Sequence, residues 1–200
     1  MATGFAALSP TTLADVLPRT QVMRYNIRPL WACPRITGPA FTVRLSPGDN
    51  LMLHAAMYEA PPGSVVVVQS GDMAFAAIGG NVARIAKERG LAGLVLDGLV
   101  RDIAEIRDLA FPVFARGIVP VPGTKVRVGE LNQPIVCGDV HVQAGDVVVA
   151  DEEGIVVVPA ASVATALAEG TKRQEKEARE GYEAWKRSHS ARVQAALTRA

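Results

Sequence analysis

Two apolar runs, Val65-Val66-Val67-Val68-Gln69 and Gly93-Leu94-Val95-Leu96-Asp97, constrain this chain more than any other feature. Each is short and almost free of polar positions. Such a run predicts a strand with no face left for water. Helical patterns surround both. Leu51 to Tyr58 follows the turn-forming Ser46-Pro47-Gly48-Asp49-Asn50 and is stopped by Pro61-Pro62-Gly63. Val82 to Arg89 is introduced by Gly79-Gly80-Asn81 and closes at Gly90, and a third helix is expected near Asp102 to Leu109, before the strand Val113 to Arg116. This βα alternation predicts an α/β fold with a partly parallel sheet covered by helices.

The flanks read differently. Thr11 to Leu17 predicts a short helix capped by Ser9 or Thr11, with Pro10 in its first turn. Residues 25–40 hold Pro29, Pro34, Gly38 and Pro39 and predict irregular or edge structure, after which Phe41 to Leu45 alternates like a strand. Beyond Pro120 the segments Val126-Arg127-Val128, Pro134-Ile135-Val136, Val147 to Ala150 and Ile155 to Val158 read as short strands of a β layer. From about residue 160 the chain is charged and helical, with Gly181 as a bend and Leu167, Tyr182 and Trp185 as docking residues for the body or a neighbouring subunit. We expect one domain, with a body over 1–160 and a charged helical extension over 161–200.

The net charge of +1 does not suit a nucleic-acid footprint. No apolar run is long enough to cross a bilayer, and no leader-like pattern opens the chain, so a cytoplasmic protein is expected. Cys33 and Cys137 lie far apart without CxxC spacing, which argues against a zinc site.

The chemistry gathers where the second run ends. Asp97-Gly98 is followed by Arg101-Asp102. In open α/β sheets ligands collect at the carboxyl ends of strands. There an arginine offers a fork for a carboxylate, and an aspartate a hard oxygen for a divalent cation. A second reading of the same residues is a capping box, in which Asp102 caps a helix and Glu105 reaches back. Gly79-Gly80-Asn81-Val82 places two glycines before a helix, so free N–H groups can face an anion; one carboxylate could lie between these residues and Arg101. The turn Asp151-Glu152-Glu153 reads either as a solvated hairpin or as outer ligands to a metal. His54 reads as helix packing. Lys125 is the one lysine in a strand-like segment and the formal candidate for a Schiff base, with no second signal beside it.

These residues together resemble the RraA-like family, which includes the 4-hydroxy-4-methyl-2-oxoglutarate/4-carboxy-4-hydroxy-2-oxoadipate aldolases. Ile27-Arg28-Pro29-Leu30-Trp31, Gly38 to Val43 and Pro47-Gly48-Asp49-Asn50 are similar to its N-terminal signatures. Gly79 to Val82, Asp97-Gly98 with Arg101-Asp102, and Phe111 to Gly117 are similar to its centre, and Gly145 to Gly154 to its end. The resemblance implies a swivelling β/β/α fold and a class II pyruvate aldolase that uses Mg²⁺ or Mn²⁺. It implies a 2-oxo acid substrate lined by Gly79, Gly80, Asn81 and Val82 and held by Arg101, a metal on Asp102, and a homotrimer or homohexamer. The enolate reached in pyruvate release is also reached by oxaloacetate decarboxylation, so that activity is expected too. The same family includes non-catalytic regulators that bind RNase E, which is the alternative. Aldolase members often carry an acid where Gly80 stands and a Trp where Ile78 stands; the glycine implies a wider, less negative mouth.

Overall fold

The protein was described from a computed structural model covering residues 2–198. In chain order the elements are α1 (Pro10–Ala14), β1 (Arg28–Pro29), β2 (Ile36–Arg44), α2 (Leu51–Glu59), β3 (Val65–Gln69), β4 (Ala76–Ile78) and α3 (Gly80–Glu88). They continue with β5 (Gly93–Val100), α4 (Ile103–Asp108), β6 (Val113–Ile118), β7 (Ile135–Cys137), β8 (Val140–Val142), β9 (Val147–Asp151), β10 (Gly154–Val158) and α5 (Val163–Leu197). The fold is α/β, as expected. One sheet runs β1-β6-β5-β3-β2-β9-β10, with β4 added to the end of β5, and β7–β8 form a separate hairpin. The β2, β3, β5 and β6 pairings are parallel, whereas β1, β9 and β10 join antiparallel.

The two apolar runs lie side by side at the centre, with Val66 opposite Leu94 and Val68 opposite Leu96. Their side chains alternate between two cores. Val66, Val68, Leu94 and Leu96 pack with Leu53, Met57, Ala83 and Ile106 from the covering helices. Val65, Val67 and Val95 face Ile135, Cys137, Val140, Val148 and Val157. A third cluster docks Phe5, Leu8, Leu13 and Ala166 on the outer face of β9–β10. Double-sided burial explains why neither run shows the polar alternation of a half-exposed strand.

Three expected boundaries change. β2 begins at Ile36, inside the segment read as irregular. Its first part, Ile36–Pro39, pairs with β9, and Ala40–Arg44 pairs with β3. Gly38 is needed there, because a Cβ would lie 2.3 Å from the Gly63 carbonyl oxygen. β5 does not stop at Asp97-Gly98 but runs on to Val100, where β4 takes over as partner. The register against β6 shifts between Leu96 and Leu99, and Gly98 lets β5 pass Ser70, whose Cβ would sit 2.6 Å from an added Cβ. The expected strand Val126-Arg127-Val128 is absent. The Val126 N–H goes to the Asp49 carboxylate at 2.7 Å instead of to a neighbouring strand, leaving Val126 74% and Val128 85% exposed.

The C-terminal extension is the helix α5, and Gly181 interrupts it with a left-handed φ of 65°. Its first part docks: Leu167 packs at Gly4, Arg173 pairs with Asp15, and Gln174 donates to the Ala7 carbonyl. Leu167 therefore docks as expected. Tyr182 and Trp185 stay exposed, and Trp185 stacks on Tyr182 and on His189 of the same helix. The expected helix also included Arg199 and Ala200, which lie outside the described residues. No helix among the described residues is long and apolar enough to cross a membrane.

Candidate active site

The site forms where β4 and β5 end together. Ile78 pairs with Val100, and the Arg101 N–H continues the contact to the Ile78 carbonyl at 3.0 Å. The chain then leaves β4 into α3 and β5 into α4, so Gly79-Gly80 and Arg101-Asp102 emerge side by side.

Asp102 adopts the left-handed conformation, φ 56° and ψ 40°, which aspartate tolerates better than most residues. It stands at the start of α4 but makes no side-chain cap there. The capping box expected with Glu105 is not formed. The backbone turn sends the carboxylate across to α3, where Asp102 Oδ2 accepts the Gly80 N–H at 3.1 Å. Gly79 makes this approach possible, because a Cβ on it would lie 2.3 Å from the same oxygen and 3.1 Å from Arg101 Nε. Arg101 Nε is itself 3.5 Å from Asp102 Oδ2.

The N-cap residue Gly79 has no side chain to cap α3, and Asp102 satisfies only the Gly80 N–H. The N–H groups of Asn81 and Val82, one and two residues past Gly80, lie too early in the helix for an intrahelical partner. Both residues line a cavity of about 70 Å³ together with Asn50, His54, Ile78, Gly79, Arg101, Asp102, Pro122 and Lys125. Of the sequence-predicted site residues, Gly79, Asn81, Val82, Arg101 and Asp102 line it, and Gly80 does not. Glu105 fills the space beside Gly80: a Cβ on Gly80 would meet Glu105 Oε2 at 1.9 Å. The wider, less negative mouth expected from this glycine is therefore occupied by a carboxylate from α4.

Three polar residues of the cavity were missed or misread in the sequence. Asn50 and His54 are one turn apart at the start of α2 and reach the cavity together. His54, read from sequence as helix packing, therefore also borders the cavity. Burial and then the Lys125 charge lower its pKa, against an opposing pull from Asp49, which favours the neutral imidazole. Lys125 belongs to the loop after β6. Asp49 ties that loop to α2 by accepting from the Val126 N–H at 2.7 Å, Thr124 Oγ1 at 2.7 Å and the Leu51 N–H at 3.0 Å. Burial raises the Asp49 carboxyl, but these bonds and the Arg127 backbone outweigh it and bring its pKa down to about 2. The signal available in sequence was the i, i+4 spacing of Asn50 and His54.

The acidic turn is not part of this cavity. Asp151 pairs with Arg35 at 2.9 Å, and Asp151 and Glu152 border a separate groove with Trp31 and Cys33. The turn is a hairpin between β9 and β10.

No group of three or more His, Cys, Asp or Glu side chains among the described residues is arranged to hold a metal ion. A hard cation needs no such cage where one carboxylate is joined by water and substrate oxygens. Asp102 fits that arrangement, since Oδ2 is engaged by Gly80 and Oδ1 has no hydrogen-bond partner among the described residues.

The Aldolase/RraA family model matches residues 10–157. The chain belongs to this RraA-like family. Among similar proteins, this member is 39% identical over 89% of its length, and 86% of the relative's, to a Halalkalibacterium halodurans protein named "Putative 4-hydroxy-4-methyl-2-oxoglutarate aldolase". It is 31% identical to the Thermus thermophilus 4-hydroxy-4-methyl-2-oxoglutarate aldolase over 74% of the chain and 91% of that protein. Among solved structures it superposes with a TM-score of 0.79 and 28% identity on Streptomyces coelicolor RraAS2, described as an unusual member of the RNase ES inhibitor RraA protein family, covering 87% of this chain and 91% of that one.

Proposed function

We propose that this RraA-like protein is a lyase that cleaves a 4-hydroxy-2-oxo acid to release pyruvate, and that it decarboxylates oxaloacetate in the same cavity. The observation that carries the reading is the junction of Arg101, Asp102 and the open first turn of α3. A substrate carboxylate at the Asn81 and Val82 N–H groups is favoured by the helix dipole. Arg101 adds a guanidinium fork that orients the carboxylate and offsets charge developing on the neighbouring oxo group. Asp102 holds a Mg²⁺ or Mn²⁺ ion in this reading, which supplies Lewis-acid polarisation of the oxo and carboxylate oxygens. Asp102 is itself fixed by the Gly80 N–H, so its free oxygen has a defined direction.

The likeness to RraAS2 favours a second reading, a non-catalytic RNase E-binding regulator. An assay of pyruvate release from oxaloacetate and from a series of 4-hydroxy-2-oxo acids, with Mg²⁺ or Mn²⁺ and with chelator, separates the two. Metal-dependent pyruvate release supports the lyase. Absence of pyruvate from every substrate overturns it and leaves the regulator.

A further inference from the structure

Asn50 is 4% exposed, and its Nδ2 donates to the Ala77 carbonyl at 3.0 Å, which fixes the orientation of the amide. Its Oδ1 is buried and has no hydrogen-bond partner. A buried acceptor left open costs about 1–3 kcal/mol unless something donates to it. Gln21, Asn26 and Thr37 also carry unpartnered buried oxygens, but none of them borders the catalytic cavity, whereas Asn50 lines it. His54, one helical turn further along α2, lines the same cavity, and its side chain makes no hydrogen bond among the described residues.

We propose that Asn50 and His54 form the subsite for the hydroxyl group on C4 of the substrate, and so select hydroxylated acids for cleavage. This rests on the lyase reading. A hydroxyl has one hydrogen to give and lone pairs to receive one. Asn50 Oδ1 accepts from it, and a neutral His54 donates its ring N–H to the hydroxyl oxygen. One of the two Asn50 amide N–H groups is committed to Ala77, and the open position on this side chain is the acceptor Oδ1, so Asn50 receives from the hydroxyl. The carboxylate end of the substrate is held separately, by Arg101 and α3. The subsite is therefore idle when the substrate is oxaloacetate, whose keto form has no C4 hydroxyl.

That difference supplies the test. Asn50→Ala and His54→Ala are prepared with the wild-type protein, and each is assayed with Mg²⁺ for aldol cleavage and for oxaloacetate decarboxylation. The expected result is a drop of about tenfold or more in kcat/KM for cleavage, with decarboxylation changed far less. Retained decarboxylation also certifies that the cavity is folded. If Asn50→Ala loses both activities and its cooperative melting, the decision passes to His54→Ala, which breaks no side-chain hydrogen bond. Equal loss of both activities in a folded variant, or no loss in either, overturns the subsite and assigns Asn50 Oδ1 to an ordered water. A wild-type protein that releases no pyruvate from any substrate defeats the lyase reading itself and this inference with it. A wild type that cleaves, with variants that do not discriminate, defeats the subsite alone.

Discussion

Gly79 has no room for a side chain because Asp102 occupies it: Oδ2 lies 2.3 Å from where a Cβ would stand. The glycine is therefore a spacing element between two helix starts rather than a source of unusual backbone freedom, and its φ of −136° is open to any residue. Gly79→Ala should push Asp102 and Arg101 aside by a fraction of an ångström to an ångström. Misplacement on that scale costs activity on the order of 10²-fold. The melting temperature should move little, because the crowded groups are partly exposed side chains. Steady-state kinetics beside thermal unfolding checks this. Wild-type kcat/KM in Gly79→Ala would show that the close approach has no catalytic importance.

Asp102→Asn separates charge from shape. Asparagine tolerates the left-handed conformation and can still accept the Gly80 N–H. The fold should be kept, while metal-dependent pyruvate release and the binding of Mn²⁺, followed by its paramagnetic signal, should both be lost. Arg101→Lys should keep the positive charge but lose the planar fork, and kcat/KM should fall strongly with Asp102 still binding metal. Unchanged Mn²⁺ binding in Asp102→Asn would remove Asp102 from the metal site.

Asp49 makes the loop that carries Lys125 sensitive to acid. Its pKa is about 2 in the folded protein against an ordinary 3.8. The folded state therefore binds fewer protons than the unfolded chain between these values. The stabilisation is present above the ordinary value and is lost as the pH falls through the folded one. Asp49→Asn should lower the melting temperature at neutral pH and flatten its acid dependence in this window. Parallel curves for the two proteins would show that these hydrogen bonds do not govern acid stability.

The parts of the fold that were legible in sequence are those where one local pattern has one solution. Val65 to Gln69 and Gly93 to Leu96 could be little but central strands, and Gly90, with φ 73°, closes α3 where a glycine was read as the stop. Ile36 to Pro39 failed because proline and glycine speak against a strand, and the close neighbour that requires Gly38, the Gly63 carbonyl, is supplied only by the fold. Val126 to Val128 failed because a distant carboxylate, Asp49, claims the backbone N–H that a strand would have used. In the site, Arg101, Asp102 and Gly79 to Val82 were legible because they sit at strand and helix ends. Asn50, His54 and Lys125 come from α2 and from a long loop, and only tertiary packing brings them to the same cavity.

Self-association is expected from what the protomer leaves exposed. Val126 and Val128 stand in water on a loop whose neighbour Gly129 reaches Met52 of α2, and Tyr58 on that helix is exposed too. Beyond Gly181 the arm of α5 carries Tyr182, Trp185, Val193 and Leu197, all exposed. A homotrimer, or a pair of trimers, would cover such surfaces. Light scattering at micromolar concentration should give a mass three or six times that of the chain, and Val126→Asp with Val128→Asp should lower it. A single-chain mass for the wild type rejects the assembly.

Gly80 and Glu105 should behave as a coupled pair. A Cβ on Gly80 would meet not only the mobile carboxylate of Glu105, at 1.9 Å, but also its Cβ, at 2.8 Å. Rotation of the side chain relieves the first clash, whereas the second needs movement of α4, which carries Asp102 at its start. Gly80→Glu should therefore cost stability in the wild-type background and disturb cleavage and decarboxylation alike. Glu105→Ala removes the carboxylate and opens the mouth without adding bulk, so it should favour decarboxylation of the doubly charged oxaloacetate. In the double variant the new glutamate enters the vacated space, and the stability loss should be partly restored, with an interaction of about 0.5–3 kcal/mol between neighbouring sites. Denaturant unfolding of the four proteins closes the cycle. Strict additivity would mean that Glu105 is easily displaced and that the negative charge above Gly80 is not a fixed part of the site.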